Sequence, residues 1–374
     1  METNNGSEGK MEKTAIIYCE GQFGTMDGKT ANGLVRNSKK YLINGVIDST
    51  KDGLDAGKCL DGRENGIPIF CSLSHAIGNL PEVPDYFIYG IAPANAFLQV
   101  HERSILFEAM ELGMNIVNPL QEFLTEDEDF IKFAALHNVE ILDIRKPPSK
   151  KDMGLFSGQI LSMPTPVVAV LGTDGAIGKR TTSVLLEKAL LEYGIKAVLV
   201  ATGQTGLIQG AKYGVAIDAI PFQFMIGEIE KEVIKAYENE QPDIIIVEGQ
   251  GALSHPAYIS SAGIIRGARP GAIIVQHAPK RENLGDFDYL KMPKLESEIE
   301  LIETFSKSKV IAITINHERM SDQEINSAIH EYEQQFHIPA TDVLKHGCDK
   351  LVISILEKFP QLKDKVETNK LVPQ

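Results

Sequence analysis

Residues 167–182 read Val-Val-Ala-Val-Leu-Gly-Thr-Asp-Gly-Ala-Ile-Gly-Lys-Arg-Thr-Thr. An apolar run without alternation is a strand covered on both faces, the situation of a parallel α/β sheet. Glycines then let a loop turn its N–H groups inward, and Lys179 opens a helix whose first turn carries partial positive charge. That combination cradles phosphate. Gly172, Thr173, Asp174, Gly175, Gly178, Lys179, Arg180, Thr181 and Thr182 are therefore the first candidate ligand-holding residues. Two details depart from the commonest pattern. Five residues separate Gly172 from Gly178 instead of four, and Arg180 stands where a Ser or Thr usually binds Mg²⁺. Each later residue of a helix turns about 100° further round, so neither Thr181 nor Thr182 replaces that hydroxyl. The pattern predicts phosphate binding more directly than nucleotide hydrolysis.

The same reading extends along the chain. With 374 residues there is room for two domains. Short β-rich runs alternate with helical stretches, as in parallel sheets with crossover helices. In the first half, strands are predicted at 14–19, 44–48, 68–71, 86–91, 115–117 and 139–142. A helix over 96–112 would use Phe97, Val100, Ile105, Ala109 and Leu112 as its inner face. In the second half, strands are predicted at 167–171, 197–201, 243–247, 272–276 and 310–315. Helices are predicted at 182–193, 226–237, 295–305, 322–336 and 349–358. Lys146-Pro-Pro-Ser-Lys-Lys-Asp152 can continue neither element type and marks the boundary. The fold class expected is α/β: an N-terminal Rossmann-like parallel-sheet domain (13–145), a linker (146–165), and a P-loop NTPase-like α/β domain (166–360). A disordered leader (1–12, with a second possible start at Met11) and a fraying polar tail (361–374) complete the organisation.

Charge narrows the function. Fifty-one acidic against 37 basic side chains give −14 at neutral pH, which argues against a general nucleic-acid or anionic-membrane binder. Cys19, Cys59, Cys71 and Cys348 are scattered without a C-x-x-C pair, so neither a disulfide framework nor a zinc site is expected. No apolar run nears the roughly 20 residues a membrane span needs. The expected setting is the cytoplasm.

Further candidates sit where predicted strands end, the edge at which open α/β sheets bind ligands. Glu248 closes Asp243-Ile-Ile-Ile-Val and precedes Gly-Gln-Gly; it could hold Mg²⁺ or accept a proton. Ala201-Thr-Gly203-Gln204-Thr-Gly206 has the small residues of a ligand-approach loop. His255 follows the Glu248 strand and His277 ends the next one, both being candidate catalytic groups. His317 reads as structural, and Asp218 and Glu230 as helix-end charges. In the first domain, 86–95 is a candidate pocket floor, whereas Gly33-Leu-Val-Arg36, Ile47-Asp48 and Asp55-Ala-Gly57 read as structural on their own chemistry.

Taken together, the motifs resemble a known group. The loop at 172–182 and Val-Glu-Gly-Gln-Gly at 247–251 are similar to dethiobiotin synthetase and its relatives, in which the glutamate serves the metal. The wider set includes Ala-Thr-Gly-Gln-Thr-Gly at 201–206, His255-Pro256, His277-x-Pro279, Asn316-His-Glu, Ile338-Pro-Ala-Thr-Asp342, Gly-Leu-Val-Arg at 33–36, Gly-Ile-Ala-Pro at 90–93 and Asp143-Ile-Arg-Lys-Pro-Pro. It resembles a bacterial and archaeal P-loop family of unknown function, from about Thr14 to Phe359. One branch of that family is named for D-glutamate N-acetyltransferase activity.

The resemblance implies an enzyme that transfers acetyl from acetyl-CoA to a small amino acid, working as a homo-oligomer. In that reading the loop, with Gly203 and Gln204, cradles the phosphates of coenzyme A. Glu248, His255 or His277 takes the amine proton, and Arg36, Arg266 or Arg281 clamps substrate carboxylates. Two rivals remain: an ATP-dependent kinase or ligase with Mg²⁺ at Glu248, and a non-catalytic phosphometabolite sensor.

Overall fold

A computed structural model describes residues 13–92 and 97–366; the expected leader lies outside them. The chain divides into two compact units. The first runs to Lys146 and includes Ile208–Gly210; the second comprises Pro147–Leu207 and the chain from Ala211 onward.

In the first unit, β1 (Lys13–Tyr18), β2 (Tyr41–Ile47), β3 (Ile69–Phe70), β4 (Tyr86–Tyr89), β5 (Asn115–Asn118) and β6 (Ile141–Asp143) form one sheet. Its order is β3-β2-β1-β4-β5-β6 and every neighbouring pair is parallel. This is the Rossmann order, with the switch point at the end of β1. A dinucleotide site would use an acid at the end of β2 for the ribose. Here that acid, Asp48, is fully buried and turned into the loop. It accepts the N–H groups of Gly21 (3.2 Å), Phe23 (3.1 Å) and Thr50 (3.0 Å). Its work is structural.

The helix after β4 spans Val100–Glu111, later than expected, and residues 93–96 lie outside the described residues. Phe97 is 67% exposed and Val100 84% exposed, so neither belongs to the inner face. Ala109 lies on it as expected, joined by Glu102, Leu106 and Met110, whereas Leu112 is 39% exposed. Glu102 causes the shift: its carboxylate accepts the Gln99 N–H (2.7 Å) to start the helix, and the buried Tyr89 hydroxyl (2.6 Å).

In the second unit, β7 (Val167–Gly172), β8 (Ala197–Ala201), β9 (Tyr213–Gly214), β10 (Ile244–Glu248), β11 (Ala272–His277), β12 (Lys309–Ile315) and β13 (Ala340–Thr341) form a sheet of order β13-β12-β11-β7-β10-β8-β9. All its pairs are parallel. Val167, Ala169 and Leu171 point into one core, with Ile229 and Val233 of the helix Phe222–Glu240 and Ile264 of the helix Ser260–Ala268. Val168 and Val170 point into the other, with Leu186 and Leu190 of the helix Lys179–Glu192 and Leu351 and Ile355 of the helix Asp349–Lys358. Each of these Val, Leu and Ile side chains contributes about 1.5–3 kcal/mol when fully buried. Two covered faces are why the run at 167–171 shows no alternation.

The sequence pattern missed the helix Ser260–Ala268 because two glycines depress its propensity. They are there for packing: a Cβ at Gly263 would lie 2.6 Å from Met225 Sδ, and one at Gly267 2.7 Å from Ile229 Cβ. The polar tail is partly ordered, since Pro360–Lys365 form a 3₁₀ turn that buries Leu362. Among the described residues, no helix is long and apolar enough to cross a membrane.

Candidate phosphate-binding site

The consecutive strands β10 and β11 lie on opposite sides of β7, so the switch point of this sheet falls at the loop 172–178, between β7 and the Lys179–Glu192 helix. The chain needs small residues there. A Cβ at Gly172 would lie 2.6 Å from the Gln276 carbonyl oxygen, and Gly178 takes a left-handed φ of 104° as the helix N-cap. Ala176 is left-handed as well, at φ 48°. Lys179 is buried and donates to the Asp174 carbonyl, which curls its ammonium over the loop.

A brace of side chains holds the loop from outside. Asp174 Oδ2 accepts Arg281 Nη1 at 2.8 Å and the Gly285 N–H at 2.9 Å; Arg281 Nη1 also donates to the Gly175 carbonyl at 2.9 Å. The remaining Arg281 nitrogens grip both oxygens of Glu318, at 2.9 and 2.7 Å. Burial alone would lower the Arg281 pKa, but the bonds to Glu318 and Asp174 outweigh it and hold the guanidinium charged. Asn316 donates to the Ile177 carbonyl at 2.9 Å. Thr182 donates to Gln276 Oε1 at 2.6 Å, which fixes the direction of its hydroxyl proton.

Glu248 ends β10 opposite Val170 of β7. Its Oε2 accepts the Thr202 N–H at 3.1 Å, and its backbone carbonyl accepts the Thr202 hydroxyl at 2.9 Å. Room for the carboxylate is kept by glycine, since a Cβ at Gly206 would come within 2.8 Å of Oε2. Burial raises the Glu248 pKa. Arg180 is the strongest opposing influence, ahead of the Thr202 and Gly203 N–H groups and of Lys179. Gln204 opens the helix Gln204–Gln209 beside this carboxylate's strand and is buried.

The two histidines approach the loop from different sides. His255 Nδ1 accepts the Ala257 N–H at 3.2 Å, so the neutral ring carries its proton on Nε2. That buried Nε2 has no hydrogen-bond partner among the described residues and lies 3.9 Å from Asp174 Oδ1. The ring stacks on Tyr258 at 4.4 Å, and burial lowers its pKa against the pull of Asp174 and Asp286. His277 Nδ1 lies 2.9 Å from Thr173 Oγ1, and burial pushes its pKa down to about 4. It lines a cavity of about 310 Å³ with Arg281, Met292, Lys294, Tyr332 and Phe336.

Several expected residues do not join this cluster. Arg36 pairs with Asp61 in the first unit at 2.7 Å. Arg266 lies in the last turn of a helix that returns to the start of β11, the opposite edge of the sheet, with its guanidinium 5.0 Å from the Phe305 ring centroid. Arg281 belongs to the loop's own brace, not to an open clamp. Glu230 accepts the N–H groups of Ser157 (2.6 Å) and Ile160 (3.3 Å), and His317 pairs with Asp342 (2.6 Å), so both are structural. Conversely, the bracing roles of Gln276 and Glu318 were not foreseen. Their only signal was position beside His277 and within Asn316-His-Glu.

Fold and loop together define a P-loop protein with an additional Rossmann-like unit. The chain belongs to the DUF1611 family: residues 154–352 match the domain of unknown function described as its C-terminal P-loop domain, and residues 49–147 its N-terminal Rossmann-like domain. A protein of Pseudoalteromonas sp named D-glutamate N-acetyltransferase is 33% identical over 276 residues, covering 72% of this chain and 80% of that one. A namesake from Tritonibacter scottomollicae is 27% identical over 271 residues, covering 71% and 79%. The crystal structure of a DUF1611 family protein from Anabaena variabilis, 28% identical, superposes with a TM-score of 0.85 over 92% of this chain and all of that one.

Proposed function

We propose that this protein is an amino-acid N-acetyltransferase acting on D-glutamate, with the phosphates of acetyl-CoA held in the 172–178 loop. The observation that carries the reading is the 33% identity, over most of both chains, to a protein named for that activity. The chemistry joins an amine nitrogen to the acetyl carbon and breaks the carbon–sulfur bond. The ammonium gives up two protons on the way to the amide, of which the departing thiolate gains one and the other is released. An activity that draws on acetyl-CoA belongs to the cytoplasm.

Distance decides what the clustered residues do in this reading. The pantetheine arm extends roughly 15 Å from the pyrophosphate, summing ordinary bond lengths. A group that touches the loop therefore meets the donor's phosphates, not its thioester. Glu248, His255 and His277 all lie at the loop, within reach of its backbone or its lysine field. Their work is to bind and orient the donor: His255 as an Nε2–H donor aimed at the anion, His277 as the support for Thr173.

The test is thiol release from acetyl-CoA by the full chain, with D-glutamate, L-glutamate and no acceptor as parallel arms. Release stimulated by D-glutamate supports the reading. Release at the no-acceptor rate across a panel of D- and L-amino acids overturns it.

A further inference from the structure

P-loops that handle nucleotides usually present a Mg²⁺ ion to the phosphates, held by a hydroxyl at the residue after the lysine and by a carboxylate from a neighbouring strand. The donor set of this chain does not fit that ion. The residue after Lys179 is Arg180. Thr182 and Ser183 lie two and three residues further round the helix than that position, their hydroxyl protons given to Gln276 (2.6 Å) and to the Lys179 carbonyl (2.9 Å). The Asp174 carboxylate is already shared between Arg281 and the Gly175 and Gly285 N–H groups. Only Glu248 keeps the place of a metal-serving acid.

The Lys179–Glu192 helix packs over β7, β10 and β8, so its first turn faces the ends of β10 and β8, where Glu248 and Thr202 lie. Arg180 is the second residue of that turn and is partly buried. We infer that the loop binds its phosphate ligand without a divalent cation, Arg180, in the helix turn that faces the end of β10, supplying the positive charge that the metal supplies in Mg²⁺-dependent P-loops.

The substitution is chemically sound. Guanidinium offers a fixed fork of donors to phosphate oxygens and stays charged at any physiological pH. Glu248 is the carboxyl group at the end of β10, and Arg180 is the largest charge opposing the effect of its burial. The same acid that would orient a metal's water shell here faces the helix turn that carries Arg180. A buried carboxylate with no cation near it would be costly, and the helix turn facing Glu248 supplies one in Arg180. A loop of this kind suits a nucleoside diphosphate moiety recognised for its charge, with no hydrolytic metal beside it.

This inference rests on the loop being a phosphate site but not on acetyl transfer, and its test separates the two. ADP is the probe, because it carries the pyrophosphate common to coenzyme A and to nucleotides. The full chain is titrated calorimetrically with ADP in EDTA and again in excess Mg²⁺. The expected result is the same dissociation constant in both buffers, within about twofold. Arg180→Thr restores the metal-binding hydroxyl and removes the guanidinium. It is expected to bind ADP at least tenfold more weakly in EDTA and to recover affinity when Mg²⁺ is added. Arg180→Lys, which keeps the charge, should lose less and stay indifferent to Mg²⁺. Melting curves of the variants exclude a folding defect as the cause. A wild-type affinity that rises tenfold or more with Mg²⁺ overturns the inference, as does no ADP binding in either buffer. Absence of acetyl transfer, with metal-independent ADP binding intact, would overturn only the proposed activity.

Discussion

Arg281 holds Asp174 at 2.8 Å with one nitrogen while its other two nitrogens grip both oxygens of Glu318. One residue of the loop after β11 thereby ties the phosphate loop to the loop after β12. Asp174 is almost wholly buried, so removing its partner leaves a carboxylate in a low-dielectric site. Breaking a buried pair in this way costs roughly 3–5 kcal/mol. Arg281→Ala is therefore expected to lower the unfolding free energy by about that much in urea titrations. Arg281→Lys, a point charge without the fork, should recover only part of it. A variant that keeps full stability but loses affinity for the amino acid would restore Arg281 as a substrate clamp.

His277 makes stability depend on pH in a definite direction. Its folded pKa is pushed down to about 4 by burial, from the ordinary value of 6.5. Above pH 6.5 both the folded and the unfolded chain hold it neutral. Between about 6.5 and 4 the unfolded chain takes up the proton and the folded one does not, so stability falls as pH falls through that window. Below about 4 the effect is complete, at roughly 3 kcal/mol. His277→Gln keeps a partner for Thr173 and removes the titration. Its stability should fall less steeply than the wild type's between pH 6.5 and 4; an identical slope would show that His277 is already solvated.

The strands and the loop were legible because their causes are local. The unbroken Val/Ile runs at 244–247 and 273–275, and the glycine-lysine junction at 178–179, follow from backbone geometry and burial, which sequence periodicity records. Side-chain roles were less legible where they depend on a partner far along the chain. Nothing local says that Glu102 turns inward to Tyr89, or that Arg281 spends all its nitrogens on Asp174, Gly175 and Glu318. The arginines proposed as clamps are an example. A guanidinium announces that it will bind an anion, but the chain's own acids at Asp61 and Glu318 took two of them. The glycine-bearing helix Ser260–Ala268 was hidden for the opposite reason. Its low intrinsic propensity is offset by a close helix contact that only the fold supplies.

Glu248 is expected to act on donor binding and not on the chemical step. With acetyl-CoA phosphates in the loop, Glu248→Gln removes the charge that faces the Arg180 turn while the thioester reacts elsewhere. The KM for acetyl-CoA should rise by about tenfold, the weight of one charge-assisted contact, with kcat changed less than threefold. Steady-state kinetics with acetyl-CoA as the varied substrate reads both constants. A kcat that collapses at unchanged KM would instead make Glu248 the base, and would put the acceptor amine, not the donor's phosphates, in the loop.

The same substitution at two glycines of this site should have opposite effects on stability. At Gly249, just after Glu248, a Cβ would collide with the Val170 carbonyl oxygen and lie 3.1 Å from Leu171 Cα. Those are backbone atoms of β7 and cannot swing aside, so β10 must move away from the loop strand. Overpacking of this sort costs about 1–3 kcal/mol. At Gly175, inside the loop, the nearest atom to a new Cβ is Asp286 Oδ2 at 3.9 Å, and the backbone is not left-handed there. Alanine at that position meets no obstacle and restricts the unfolded chain, which stabilises by about 0.4–1 kcal/mol. Urea titrations should therefore show Gly249→Ala shifted to lower denaturant and Gly175→Ala to equal or higher denaturant. If Gly249→Ala unfolds at the wild-type midpoint, the close approach of β10 to β7 is not what that glycine serves.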